Sequence, residues 1–117
     1  MQSVGVIGLG KMGSGIAENL LKAGLLKAIY KRTRDDVVKN FEKRGVYVAK
    51  SPRDLAGKVD MVVLSIPNDA VNNVVFGNDG LADSLKEKGM ILDTGNCDPR
   101  QSAEICIKLK KRGIFFL

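Results

Sequence analysis

Apolar residues along the chain alternate between two rhythms, short β-branched runs and longer stretches with helical spacing. Val4, Val6 and Ile7 form the first run and read as a buried parallel strand. Helical spacing follows, with Met12, Ile16, Leu20, Ala17 and Leu21 as the inward stripe of a helix from Met12 to Ala23 and Gly24 as its C-cap. Leu25 to Tyr30 is the second strand. Thr33 as N-cap, with Asp36 three residues on, opens a helix from Arg34 to Lys43 that turns Val37, Val38 and Phe41 inward and closes at Gly45. Val46 to Ala49 is a third strand, and Ser51-Pro52 starts a brief helix. Asp60 to Leu64, unbroken by polar residues after its first, is a central fourth strand ended by Pro67. Helical pieces follow at Asp69 to Phe76 and Leu81 to Lys88, then a fifth strand at Met90 to Asp93. Asp98-Pro99, with Gln101 completing a capping box, begins a helix to about Lys111 carrying Ile105 and Leu109 inward. After Gly113, Ile114 to Leu117 is a sixth strand.

Strands alternating with helices imply βαβ crossovers, hence an α/β fold: a doubly wound parallel sheet of about six strands in the order 3-2-1-4-5-6, helices on both faces. The chain's 117 residues are one domain's worth. There is no internal repeat, linker or low-complexity segment.

The junction of the first strand and helix carries candidate chemistry. Gly8, Gly10 and Gly13 stand as G-x-G-x-x-G, with Leu9, Lys11 and Met12 between them. Gly8 allows a sharp turn out of the strand, Gly10 lets a pyrophosphate reach the backbone, and Gly13 lets the helix lie close on the strand. The free amides of the first helical turn and the positive end of the helix dipole would hold the phosphates. The plain alternative is a glycine turn with no ligand.

In this fold an acid ending the second strand binds the ribose of NAD. This chain has Tyr30-Lys31-Arg32-Thr33-Arg34 there, and Asp35 is expected inside the next helix, pointing away. The basic residues suit a 2′-phosphate, so NADP(H) is expected over NAD(H), with Arg32 as main contact and Lys31, Thr33 and Arg34 beside it. The alternative is a solvated basic loop. Leu64-Ser65-Ile66-Pro67 and Thr94-Gly95-Asn96 end the fourth and fifth strands at the same lip. Backbone there would meet the nicotinamide ribose, and Asn96 its ribose or carboxamide. Ser65 and Asn96 read equally well as turn residues.

Composition trims the alternatives. The chain has no histidine, which removes the commonest general base. Cys97 and Cys106 are too few and too far apart for a zinc site and read as reduced, structural thiols. The net charge of +6 favours anionic partners. Its basic groups, at Lys31 to Arg34 and Lys108 to Arg112, have no interleaved aromatics, which argues against nucleic acid. No apolar run nears the ~20 residues of a membrane span. With no leader-like start, a cytoplasmic protein is expected.

Ile7-Gly8-Leu9-Gly10-Lys11-Met12-Gly13, with Ala17, Asn19-Leu20 and Gly24 behind it, resembles the N-terminal signature of the β-hydroxyacid dehydrogenases, which include 3-hydroxyisobutyrate and 6-phosphogluconate dehydrogenases. Tyr30-Lys31-Arg32-Thr33 is similar to that family's Asn-Arg-Thr, with Lys31 in place of Asn. Val63 to Pro67 and Asp79-Gly80-Leu81 resemble further elements. Asp93-Thr94-Gly95-Asn96 is closer to the Gly-Asn of the 6-phosphogluconate branch, whereas spacing elsewhere favours the 3-hydroxyisobutyrate branch. The resemblance implies the cofactor-binding domain, residues 1–117, of an oxidoreductase moving a hydride between nicotinamide and a small β-hydroxy acid. It also implies that the catalytic lysine and the helical substrate domain, through which the family's dimers form, lie outside this chain. No catalytic residue is then expected here, and little turnover from this part alone. A stand-alone nucleotide-sensing module is the competing reading, since fold does not fix function.

Overall fold

The computed structural model describes residues 3–33, 35–95 and 98–117. Its elements are β1 (Val4–Ile7), α1 (Lys11–Lys22), β2 (Leu26–Tyr30), α2 (Asp36–Lys43), β3 (Tyr47–Val48), α3 (Pro52–Ala56), β4 (Met61–Leu64), α4 (Asn68–Phe76), a 3-10 turn (Leu81–Asp83), β5 (Met90–Asp93), α5 (Pro99–Lys110) and β6 (Phe115–Phe116). The six strands pair in parallel in the order β3-β2-β1-β4-β5-β6. This is the doubly wound α/β sheet that the strand–helix alternation predicts.

The pleat sends alternate side chains to opposite faces. From β1, Val4 and Val6 join one cluster with Ala17 of α1 and Val38 and Phe41 of α2. Ile7, Val62 and Leu64 face the other way, onto Leu55 of α3, Val71 and Val75 of α4 and Ile105 and Leu109 of α5. Gly5 takes part in this packing without a side chain. A methyl on it would sit 2.6 Å from a Leu55 methyl, so the glycine makes room for α3.

Several local expectations give way to specific competitors. Asp35, not Thr33, caps α2, accepting from the amides of Val37 (3.1 Å) and Val38 (3.2 Å). Asp35 therefore lies at the helix mouth instead of inside the helix. Residues 81–88 make only the 3-10 turn. The Lys88 amide bonds the Gly113 carbonyl at 2.7 Å, which draws the chain toward β6 before a second turn can close. Asp98 does cap α5, but onto the Arg100 amide, and Gln101 makes no box. Met12 is 61% exposed, because the first turn of α1 lies beyond the end of β1 with no sheet beneath it. Cys106 is a free thiol, as expected, but it lies on the exposed side of α5 and packs into no core; Cys97 falls outside the described residues.

The charged groups set the acid response. Arg44 beside Glu18, Lys31 beside Asp35, the Lys50 amide on Asp54 and Lys86 beside Asp60 each hold a carboxyl below its ordinary range. A group whose folded pKa is depressed stabilises the fold above its unfolded pKa, and that contribution is lost as pH falls through the folded value. With no histidine in the chain, the melting temperature is expected to be flat from about pH 5 to 7 and to fall below about pH 4. Calorimetric scans across that range check it; a drop between pH 7 and 5 would contradict it.

Candidate functional site

Strand register aligns the ends that matter. Ile7 pairs with Tyr30 on one side and Leu64 on the other, and Leu64 pairs with Asp93. The segments after all four strands therefore leave the sheet at one level, where the strand order reverses between β1 and β4. In open α/β sheets that is where the ligand crevice lies.

The glycine corner is tightly built. Gly8 has φ +93°, a conformation that favours glycine, and a methyl on it would lie 2.1 Å from the Ser65 carbonyl oxygen. At Gly13 a methyl would sit 1.9 Å from the Gly8 carbonyl oxygen, so α1 rests against the turn through backbone alone. Gly10 is the opposite case. It is exposed, and a methyl there would meet nothing within 4 Å.

The start of α1 also differs chemically from its neighbours. Side chains cap α2, α3 and α5, but Gly10 supplies none, and no acid stands in the first turn of α1. The first intrahelical bond runs from the Ser14 amide to the Gly10 carbonyl at 2.8 Å, which leaves the amides of Lys11, Met12 and Gly13 outside the helix ladder. Ser14 Oγ donates to the Leu9 carbonyl at 2.9 Å and ties down the turn. Open space at Gly10 beside unladdered amides at the positive end of a helix fits a phosphate group.

Among the other sequence candidates, Leu9 and Leu64 are buried, so only their backbone faces the crevice. The Leu64 carbonyl already accepts from Thr94 twice, from its amide at 3.0 Å and its Oγ1 at 2.7 Å. Ser65 closes the wall behind the glycine corner, its amide donating to the Ile7 carbonyl at 2.9 Å. Ile66 is half-buried against the core, and Pro67 is exposed at the N-cap of α4. Gln101 Nε2 donates to the Asn68 carbonyl at 3.1 Å, a second tie between the β4 and β5 sides.

At the end of β2, Lys31 forms an ion pair with Asp35, while Arg32 and Thr33 are exposed. Arg32 has no ion pair among the described residues. Arg34 and Asn96 lie outside the described residues. Asp35 is the residue at this corner whose role the residue order hides. Two oxygen-bearing residues compete for one cap, and the pairing with Lys31 is visible only in three dimensions. Asp93 has Oδ1 on the Gly95 amide at 3.0 Å and a buried Oδ2 without a hydrogen-bond partner among the described residues. No three His, Cys, Asp or Glu side chains among the described residues gather as a metal site requires, and no described helix is long and apolar enough to cross a membrane.

The model of the NAD binding domain of 6-phosphogluconate dehydrogenase matches residues 3–117. The mitochondrial 3-hydroxyisobutyrate dehydrogenase of Rattus norvegicus is 35% identical over 97% of this chain. The match covers 34% of that enzyme, so the chain spans about a third of the length of such relatives. Among solved structures, an imine reductase from Myxococcus stipitatus in complex with NADP+ superimposes with a TM-score of 0.84 at 21% identity, over 97% of this chain and 39% of the other. Its V8 variant in complex with NAD+ gives 0.82 at 21%, over 98% and 38%. These two likenesses speak for the fold. Together, the glycine corner, the strand order and the match along nearly the whole chain place it in the family of nicotinamide-dinucleotide-binding domains typified by that of 6-phosphogluconate dehydrogenase.

Proposed function

We propose that this chain is the NADP(H)-binding part of an oxidoreductase that moves a hydride between nicotinamide and a small β-hydroxy acid of the 3-hydroxyisobutyrate or 6-phosphogluconate kind. The names of the relatives support the reaction class. The nicotinamide, when bound, supplies the hydride chemistry. The chain's part is to hold and orient it. The amides of Lys11, Met12 and Gly13 take the pyrophosphate, and the ends of β4 and β5, with Ser65, Ile66, Pro67 and Thr94, wall the nicotinamide side, where the sequence assigns Asn96 to the ribose or carboxamide. The proton-transfer group and the substrate domain belong to further chain in the intact protein, in keeping with the share of the relatives that this chain spans. Assembly into an oligomer is assigned there too.

One observation carries the NADP reading. At the end of β2, no carboxylate among the described residues is free to accept the ribose 2′-hydroxyl. Both oxygens of Asp35 are committed, Oδ1 to two helix amides and Oδ2 to Lys31. Arg32 stands exposed beside it, a planar cation of the shape that suits a phosphate. Arg32→Ala is expected to weaken NADPH binding roughly ten- to hundredfold, the size of a lost charged hydrogen-bonding group, and to leave NADH within about twofold. Parallel fluorescence titrations of the two cofactors measure this; equal losses for both would remove the assignment.

A further inference from the structure

The Lys31–Asp35 pair sits in the segment that the proposed function gives to the ribose end of the dinucleotide, and its role in cofactor choice rests on that reading. Lys31 leaves β2 and Asp35 caps α2, so the pair bridges the two ends of the loop that carries Arg32 and Thr33. Asp35 cannot swing aside, because its Oδ1 holds the amides of Val37 and Val38. Its side chain is still 37% exposed, so its charge reaches the solvent in which a phosphate would arrive. The neighbouring acid, Asp36, faces elsewhere. It lines the groove between α1 and α2 with Ser14, Glu18 and Arg44.

We propose that Lys31 serves as the neutralising partner of Asp35, not as a ligand of the 2′-phosphate, and that Asp35 is thereby a silenced coenzyme-selectivity residue. With Lys31 in place the loop presents the charge of Arg32 to an anion. With Lys31 gone, a fixed carboxylate faces the same spot, repelling a phosphate, and its freed Oδ2 is available to a bare ribose hydroxyl. Asp35 is thus a positioning and selectivity residue that makes no cofactor contact while Lys31 holds it.

A charge-removal cycle on the intact protein tests this, with NADPH and NADH affinities read by fluorescence titration. Lys31→Met is expected to weaken NADPH about fivefold, the scale of one uncompensated charge near a dianion in screened solvent, while NADH binds as tightly as to the wild type or tighter. The double variant Lys31→Met/Asp35→Asn is expected to return NADPH to within about twofold of the wild type, because asparagine keeps the cap acceptor and drops the charge. Lys31→Met/Asp36→Asn, which neutralises an acid in another groove, should give no such rescue. If Lys31→Met/Asp35→Asn stays as weak as Lys31→Met alone, Lys31 itself holds the phosphate and the proposal fails. It fails equally if Lys31→Met changes nothing, or if the Asp36 substitution rescues as well. Thermal melts of each variant separate folding losses from binding losses. Failure of the NADP reading shows independently, as tighter binding of NADH than NADPH by the wild type, while the cycle is still read as a ratio.

Discussion

Replacing Gly13 by alanine is expected to destabilise the fold by about 3 kcal/mol or more, toward the severe end for a single methyl. The added carbon would lie 1.9 Å from the Gly8 carbonyl oxygen and 3.1 Å from Ser65 Cβ. Neither neighbour can yield easily. The first is backbone in a turn at φ +93°, and the second belongs to a residue bonded to β1. Relief requires α1 to lift away from the strand it covers, which uncovers Ala17 and the valines beneath it. Gly15 supplies the internal control. It lies in the same helix, exposed, with nothing within 4 Å of a new methyl. Gly15→Ala is expected to stabilise by up to about 1 kcal/mol through helix propensity. Urea unfolding of the two variants should move the midpoint in opposite directions. A Gly13→Ala protein as stable as the wild type would show that helix and turn do not meet as closely as described.

Gly10→Ala is expected to separate binding from folding. No protein atom stands near the new methyl, so stability should stay within about 1 kcal/mol, the usual difference between glycine and alanine at an N-cap. The methyl would occupy the space assigned to the pyrophosphate, and dinucleotide affinity is expected to fall roughly ten- to hundredfold. The loss should be the same for NADPH and NADH, because both carry that group, in contrast to the one-sided loss at Arg32. Unchanged affinity for both would mean that phosphate does not rest on this corner.

How much of this can be read from residue order follows from the range of each interaction. The glycine corner is local. Strand, turn and helix are contiguous, and each glycine answers a constraint set within a few positions. The sheet order is legible for a related reason, since parallel strands joined by helices leave few arrangements. The place of Asp35 is not legible, because Thr33 and Asp35 are both good caps, and only the start of the folded helix shows that Asp35 holds the Val37 and Val38 amides. The 81–88 segment carries Leu81 and Leu85 at helical spacing, yet the Lys88 amide is claimed by Gly113 from a different part of the chain. Met12 fits the stripe arithmetically but projects past the sheet. The substrate is hidden too: the chain spans about a third of the length of its relatives, and the family resemblance implies that substrate is recognised outside that third.

The two ties between the β4 and β5 ends, Thr94 onto the Leu64 carbonyl and Gln101 onto the Asn68 carbonyl, have a consequence for how cofactor choice can drift. The bond from the Thr94 amide to the Leu64 carbonyl is main chain at both ends and outlasts any side-chain substitution, with the Thr94 Oγ1 and Gln101 bonds adding to it, whereas the facing wall at the end of β2 is braced by the side chains of Lys31 and Asp35. The first wall is thus preorganised and hard to remould, while the charge that the second presents can be changed by substitution at Lys31 and Arg32. A lineage built on this scaffold could exchange one coenzyme for the other at the adenosine end and leave the geometry of hydride delivery untouched.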